Sequence, residues 1–276
     1  MAGTDVQQSL VQRFSNPTRF MGWSGALLPW IGGLTALVIV AGLYAGLVLA
    51  PPDYQQGETV RIMFVHVPAA WLAMFTYLTV VISSIGFLVW RHPLADVSAK
   101  AAVPLGAVFT LLALVTGSLW GRPMWGTYWV WDARLTSVLI LFFLYLGLMA
   151  LRNALEDELL AGKLTAMLAI VGVIILPVIK FSVDWWATLH QPASVLRADG
   201  PTLHPTILWP LLVMAVGFSL LFMTMHLIAM RNEVRRRRIL SLQRARASRP
   251  AVSAEAAGGT STGGTGVGGP ATLVER

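Results

Sequence analysis

The chain contains no cysteine, so neither a disulfide nor a thiolate-bound zinc can hold it together. Charge is scarce as well. Only 12% of the 276 residues are Asp, Glu, Lys or Arg, about half the ~25% of an ordinary soluble domain. Motifs of chemistry are missing in the same way: there is no Gly-rich phosphate loop ending in Lys-Ser or Lys-Thr, no His-Glu-x-x-His helix and no serine elbow. The chain is therefore read as a non-enzyme, and any ATP-driven step has to come from another subunit. No repeat of fixed period and no alternating barrel strands are visible.

What the chain has in abundance is apolar length. Hydrophobic residues make up 56% of it, and they gather into six runs long enough to cross the hydrocarbon core at about 20 residues each. These lie near 24–50, 68–90, 102–120, 135–151, 164–183 and 207–230. Spanning segments satisfy their backbone groups internally, so the expected fold is all-α, a polytopic membrane protein of six transmembrane helices. Pro104, Pro177 and Pro210 are placed near span ends, where a lost backbone bond costs least. Residues 1–22 lack the cleavage pattern of a removable signal, so the first run is expected to stay in the membrane.

The net charge of +7 could suggest nucleic acid, but its distribution points to membrane orientation instead. Arg13, Arg19, Arg91, Lys100, Arg152, Lys163, Arg231 and the run Arg235–Arg238 fall on the side of the termini; Arg61, Arg122, Arg134, Lys180 and Arg197 fall on the other. By the positive-inside rule both termini are cytoplasmic. The expected organisation is a membrane domain over residues 1–232, followed by a basic cap and a disordered cytoplasmic tail over 233–276. The cap would meet anionic lipid headgroups, and the Gly/Ser/Thr-rich tail has too little apolar surface to fold.

Between the third and fourth runs stands the stretch WGRPMWGTYWVWDARLT, residues 120–136, with Trp120, Trp125, Trp129, Trp131 and Asp132. As a helix it would align Trp125 with Trp129 on one face; in the other arrangement, an extended segment, Trp129 and Trp131 are expected on opposite sides. Either arrangement makes an aromatic platform for a large flat apolar ligand. Tryptophans also collect at membrane interfaces as plain anchors. On composition alone the two readings stand side by side.

The string WGTYWVWDARLT resembles the WWD signature of membrane haem-handling proteins, and with YQQGETVRIMFVHVPAAW and LPVIKFSVDWWATLHQ it is similar to the haem exporter C family of cytochrome c maturation. The likeness runs over residues 20–232. It implies a multi-pass protein of the bacterial inner membrane that binds haem b at the periplasmic face and delivers it to a periplasmic haem chaperone. It also implies partners: a small single-span membrane subunit and ABC-type transporter subunits, alongside the lipid bilayer. Without a Cys-x-x-Cys-His motif any haem is held non-covalently.

Two of the five histidines, His66 and His190, fall on the outer side, each beside a span. Neutral imidazoles there are suited to be axial ligands of a haem iron, and the resemblance puts the family's axial histidines in these two motifs. An interfacial structural role is the alternative for each. His92, His204 and His226 are read as structural. A helical start to the third outer loop would set Trp186 and His190 on one face, four residues apart, with Trp185 turned away. Trp185 and Trp186 are thus candidate third-loop contacts. Haem propionates call for cations, and Arg61, Arg122, Arg134 and Arg197 are available on that side. The local pair Asp132–Arg134 competes for one of these charges; Lys180 is expected to pair with Asp184, four residues on, and to snorkel outward. The competing functions are a solute or ion transporter with an aromatic belt, and an assembly scaffold that binds no haem.

Overall fold

The computed structural model describes residues 16–192 and 194–247. The tail expected to be disordered and Arg13 lie outside the described residues. By contacts the chain divides into a unit ending at Val234 and a second beginning at Arg235.

Six helical segments are long and apolar enough to cross a membrane, and no strand occurs among the described residues. The first is α1 (Pro17–Tyr44), which ends in a π-helical turn (Ala45–Leu49). A 3-10 turn (Glu58–Ile62) leads into α2 (Met63–Trp90), followed by α3 (Pro93–Trp125) and α4 (Ala133–Ala154). The fifth span consists of two pieces, α5 (Glu158–Gly172) and α6 (Ile175–Trp185), and the sixth is α7 (Pro205–Ala247). The fold expected from the apolar runs is the one observed.

Local chemistry sets the helix ends. Asn16 caps α1 by accepting from the backbone N–H groups of Thr18 and Arg19, with Pro17 in the first turn. Asp157 caps α5 in the same way. Gly126, at φ 76°, ends α3 in the left-handed conformation that glycine adopts without penalty. The spans outrun the apolar runs mainly because charges near their ends are paired. Asp96 and Arg152 form a bidentate pair at 2.7 and 2.8 Å, and Lys100 reaches Glu233 at 3.0 Å. Both side chains of the first pair are only 8% exposed, so each charge depends on the other.

Two of the three prolines do not sit where the sequence reading put them. Pro104 lies deep inside α3, well away from either end. Pro177 follows the break in the fifth span, and its missing N–H explains that break: the Val173 carbonyl is taken instead by Leu176 N–H at 3.0 Å. Pro210 does lie in the opening turns of α7.

Close helix approach comes from glycine, as expected where van der Waals packing rather than water drives association. A Cβ on Gly106 would stand 2.1 Å from Cζ of Tyr145, and one on Gly172 would stand 2.2 Å from the Tyr77 hydroxyl. The two tyrosines are fully buried and meet edge to face at 5.4 Å. Tyr145 also donates to the Ala73 carbonyl at 2.8 Å, tying α4 to α2. The first span buries least: 17% of its apolar window, against 28% to 39% for the others. It leans chiefly on α7, through Gly42 against Met214 and the Thr35–Thr224 hydroxyl pair at 2.9 Å. Arg231 closes that contact by donating to Ser24 and the Met21 carbonyl.

Candidate functional site

Three connections gather at one end of the bundle: residues 50–62, 126–132 and 186–204. Trp120 Nε1 donates to Gln56 Oε1 at 3.0 Å, joining the first to the end of α3. Asp132 joins the second to the third, since its Oδ2 accepts from Leu189 N–H at 3.3 Å. Beneath them lies a cavity of about 400 Å³ whose lining includes His66, Trp120, Trp125, Trp129, Arg134 and His190. The volume falls within the 300–1,000 Å³ range usual for bound organic molecules.

His66 stands one turn into α2 and rests on a stripe of α3 formed by Ala113, Thr116, Gly117 and Trp120, which share a face at i, i+3, i+4 and i+7. Its Nδ1 lies 3.0 Å from Thr116 Oγ1, and the Trp120 ring meets it edge-on at 5.6 Å. Gly117 is what permits this seat, because a Cβ there would come within 2.9 Å of the imidazole Cε1.

His190 belongs to the third connection. Its ring lies 5.0 Å from that of Trp125, and its Nδ1, buried and without a hydrogen bond, sits 3.6 Å from Asp132 Oδ2. Burial is the largest influence on this imidazole and lowers its pKa; the Asp132 charge pulls the other way, and Arg134 adds to the lowering. The net direction is down, so His190 is neutral near pH 7, the form in which imidazole binds metals.

The tryptophans separate. Residues 127–132 are not helical, so Trp125 and Trp129 share no helix face, and Trp129 and Trp131 are not turned to opposite sides, against the expectation for the extended arrangement. Trp129 faces the cavity while Trp131 is 75% exposed, the rings meeting edge-on at 5.5 Å. Trp129 Nε1 is buried with no partner, a donor facing an unfilled need. Trp185 and Trp186 are exposed. The expected Trp186–His190 register fails because α6 stops at Trp185 and Trp186 is extended. Trp185 stacks on Phe181 instead.

Of the four arginines only Arg134 lines the cavity. It donates to Ser182 Oγ at 2.9 Å and to the Lys180 carbonyl, not to Asp132, which caps α4 through Leu135 N–H at 2.8 Å. Arg61 pairs with Glu58 and donates to the carbonyls of Gly46 and Leu47 at the end of the first span. Arg122 donates to the Gly126 carbonyl and lies over the Tyr128 ring, while Arg197 lies 3.9 Å from Asp199. Lys180 and Asp184 both line the cavity and form no ion pair with each other among the described residues. Trp71 is a lining residue the sequence reading passed over, since in the middle of an apolar run it carries no signal of its own.

The donor set is informative. Among the described residues no group of three or more His, Cys, Asp or Glu could hold a bare metal ion, whereas two imidazoles suffice for a metal that brings its own equatorial ligands. An apolar, aromatic chamber with two histidines, a cation and an unpaired indole N–H fits a flat metallomacrocycle bearing carboxylates.

Comparison with known proteins gives a consistent result. The family model described as "Heme exporter protein C" matches residues 10–245. Proteins of that name are similar in Bradyrhizobium diazoefficiens, 63% identical over 87% of this chain and 91% of that protein, and in Paracoccus denitrificans, 46% identical over 84% and 96%. The one in Escherichia coli K12 is 44% identical over 78% of this chain and 87% of its own length. Such relatives and the six candidate spans make this a multi-pass protein of the bacterial inner membrane. Matched over most of its length by the family and by each of these relatives, the chain belongs to the Heme exporter protein C family.

Proposed function

We propose that this chain binds haem b non-covalently in the cavity at the aromatic end of its bundle and hands it to a periplasmic haem chaperone for c-type cytochrome assembly. The observation that carries the reading is the convergence of His66 and His190 on one cavity walled by Trp120, Trp125 and Trp129. Haem iron supplies two axial positions for imidazole nitrogen. His66 and His190 take those positions, the indoles cover the macrocycle, and Arg134 with the Trp129 N–H receives the propionates. Arg61, Arg122 and Arg197 are left to their local partners. Trp131, Trp185 and Trp186 face outward, toward lipid or a partner.

The lysine and arginine distribution supports a cytoplasmic location for both termini, with residues 120–136 on the periplasmic face and the segment from 233 as a basic cytoplasmic cap. Fusions of a reporter after Arg238 are then retained, and fusions near Met124 or Ala198 are exported. Having no nucleotide site of its own, the chain works with ABC-type transporter subunits and a small single-span subunit, as a carrier rather than an enzyme.

The deciding experiment is spectroscopy of the purified protein supplied with haem, followed by transfer to the purified chaperone. The expected result is a six-coordinate bis-histidine spectrum that changes in both His66→Ala and His190→Ala. An unchanged spectrum in both variants removes the assignment, and a protein that stays colourless is a scaffold instead.

A further inference from the structure

Thr116 has one hydroxyl proton and three neighbours competing for it, the most distant being the Ala113 carbonyl of its own helix at 3.4 Å. Its Oγ1 lies 2.6 Å from the Leu112 carbonyl on the preceding turn and 3.0 Å from His66 Nδ1. A 2.6 Å separation between two oxygens is that of a hydroxyl donating to a carbonyl. Without a proton between them, the two sets of lone pairs would repel. The hydroxyl proton therefore belongs to Leu112, and what Thr116 offers His66 is a lone pair. The imidazole can meet a lone pair only with an N–H, so its proton sits on Nδ1 and Nε2 is the unprotonated nitrogen.

We propose that Thr116 is the positioning residue that fixes His66 as its Nδ1–H tautomer, so that the lone pair of Nε2 is the one available to a ligand in the cavity. The seat enforces orientation as well as tautomer. Gly117 lets the ring lie against α3, and Trp120 closes one edge. Neutral imidazole otherwise divides between two tautomers, and the wrong one would carry its proton where a metal has to bind. Accepting from the far N–H also strengthens imidazole as a donor. His190 has no equivalent hydrogen bond, its Nδ1 lying 3.6 Å from Asp132. The two sides of the cavity are thus unequal: His66 Nδ1 lies within hydrogen-bond distance of a partner, and His190 Nδ1 does not.

The functional consequence rests on His66 being a haem ligand; the tautomer does not. The test therefore has two arms. In the first, ¹⁵N NMR of the histidine-labelled, haem-free full-length protein reads which ring nitrogen of His66 carries the proton. Nδ1–H is expected, and Nε2–H overturns the proposal even if no variant can be made. In the second, Thr116→Val, Thr116→Ser and the control Thr110→Val are titrated with haem, and the reduction potential of the bound form is recorded. Thr110 likewise donates to a carbonyl one turn back, and the hydrogen bond of the His66 ring goes to Thr116 and not to it. Thr116→Val is expected to weaken haem binding by about 10–100-fold, the range typical when a metal ligand's supporting partner is lost, and to raise the potential. Thr116→Ser and Thr110→Val are expected to match the parent. If His66→Ala alters the spectrum while Thr116→Val matches the parent in affinity and potential, the positioning role is wrong and the haem site stands. If His66→Ala alters nothing, the haem reading fails, and the first arm still decides the tautomer.

Discussion

The carboxylate of Asp132 accepts from Leu189 N–H, 57 residues further along the chain, with one oxygen, and caps α4 through Leu135 N–H with the other. A single side chain thereby starts a helix and tethers the connection that carries His190. The tryptophan-rich stretch and the third connection are held in one register by this residue.

Replacing Asp132 by Ala removes both bonds. The lost cap alone costs about 1 kcal/mol, and the lost tether frees residues 186–204. Thermal unfolding in detergent is expected to shift down, with faster proteolysis inside that connection. Asn also caps but has a single acceptor oxygen, so Asp132→Asn is expected to keep the cap, lose the Leu189 tether and the charge that faces His190, and unfold between Asp132→Ala and the parent. Equal proteolysis of Asp132→Ala and parent would mean that the tether does not hold the connection.

Gly117→Ala puts a methyl group 2.9 Å from the His66 ring. The ring has to leave its seat, at an overpacking cost of about 1–3 kcal/mol, and the haem spectrum is expected to change while the fold survives. Gly147, in α4, is the contrast, since nothing lies within 4 Å of the Cβ it would gain. There alanine is expected to stabilise the helix by up to ~1 kcal/mol with haem binding unaltered. A parental spectrum in Gly117→Ala would show that the ring does not use this seat.

Acid sensitivity follows from the lowered pKa of His190. Unfolded, this imidazole takes up a proton near pH 6.5; folded, it does so only at lower pH. Its contribution to stability is therefore complete above about pH 6.5 and is lost as pH falls from there toward the folded value. The unfolding midpoint of the haem-free protein is expected to fall more steeply between pH 7 and pH 5 than that of His190→Asn. Parallel slopes would place the titration elsewhere.

The tryptophans are expected to fail in two ways. Trp125 and Trp129 line the cavity, so alanine at either lowers haem retention. Trp131 points outward and is 75% exposed; alanine there spares haem binding and slows transfer to the chaperone. Bound-haem spectra and transfer rates, measured on the same preparations, separate the two. A triple variant that binds and transfers haem like the parent would reduce the whole segment to a membrane anchor.

Apolar run length made the six spans legible, because crossing a bilayer demands it. Their ends were hidden where charges are neutralised by partners far away in sequence: Asp96 looks like a stop until Arg152 is beside it. In the site, residue type revealed His66, His190 and the tryptophans. Contacts that need the register of one helix against another, such as Thr116 on His66 or Arg134 on Ser182, left no trace. The Trp186–His190 register was misjudged because nothing in DWWATLH shows that the helix stops at Trp185.

The first span, least buried of the six, is held in part by α7, the last span to be made. Its small and polar contact points, Ser24, Thr35 and Gly42, meet Arg231, Thr224 and Met214 of α7. During synthesis its far end meets Arg61 and Phe64 early, but its Gly42 waits for Met214 and its Ser24 for Arg231, 207 residues further along the chain. A chain truncated before α7 therefore lacks one span and leaves another, the first inserted, without the partners of Ser24, Thr35 and Gly42.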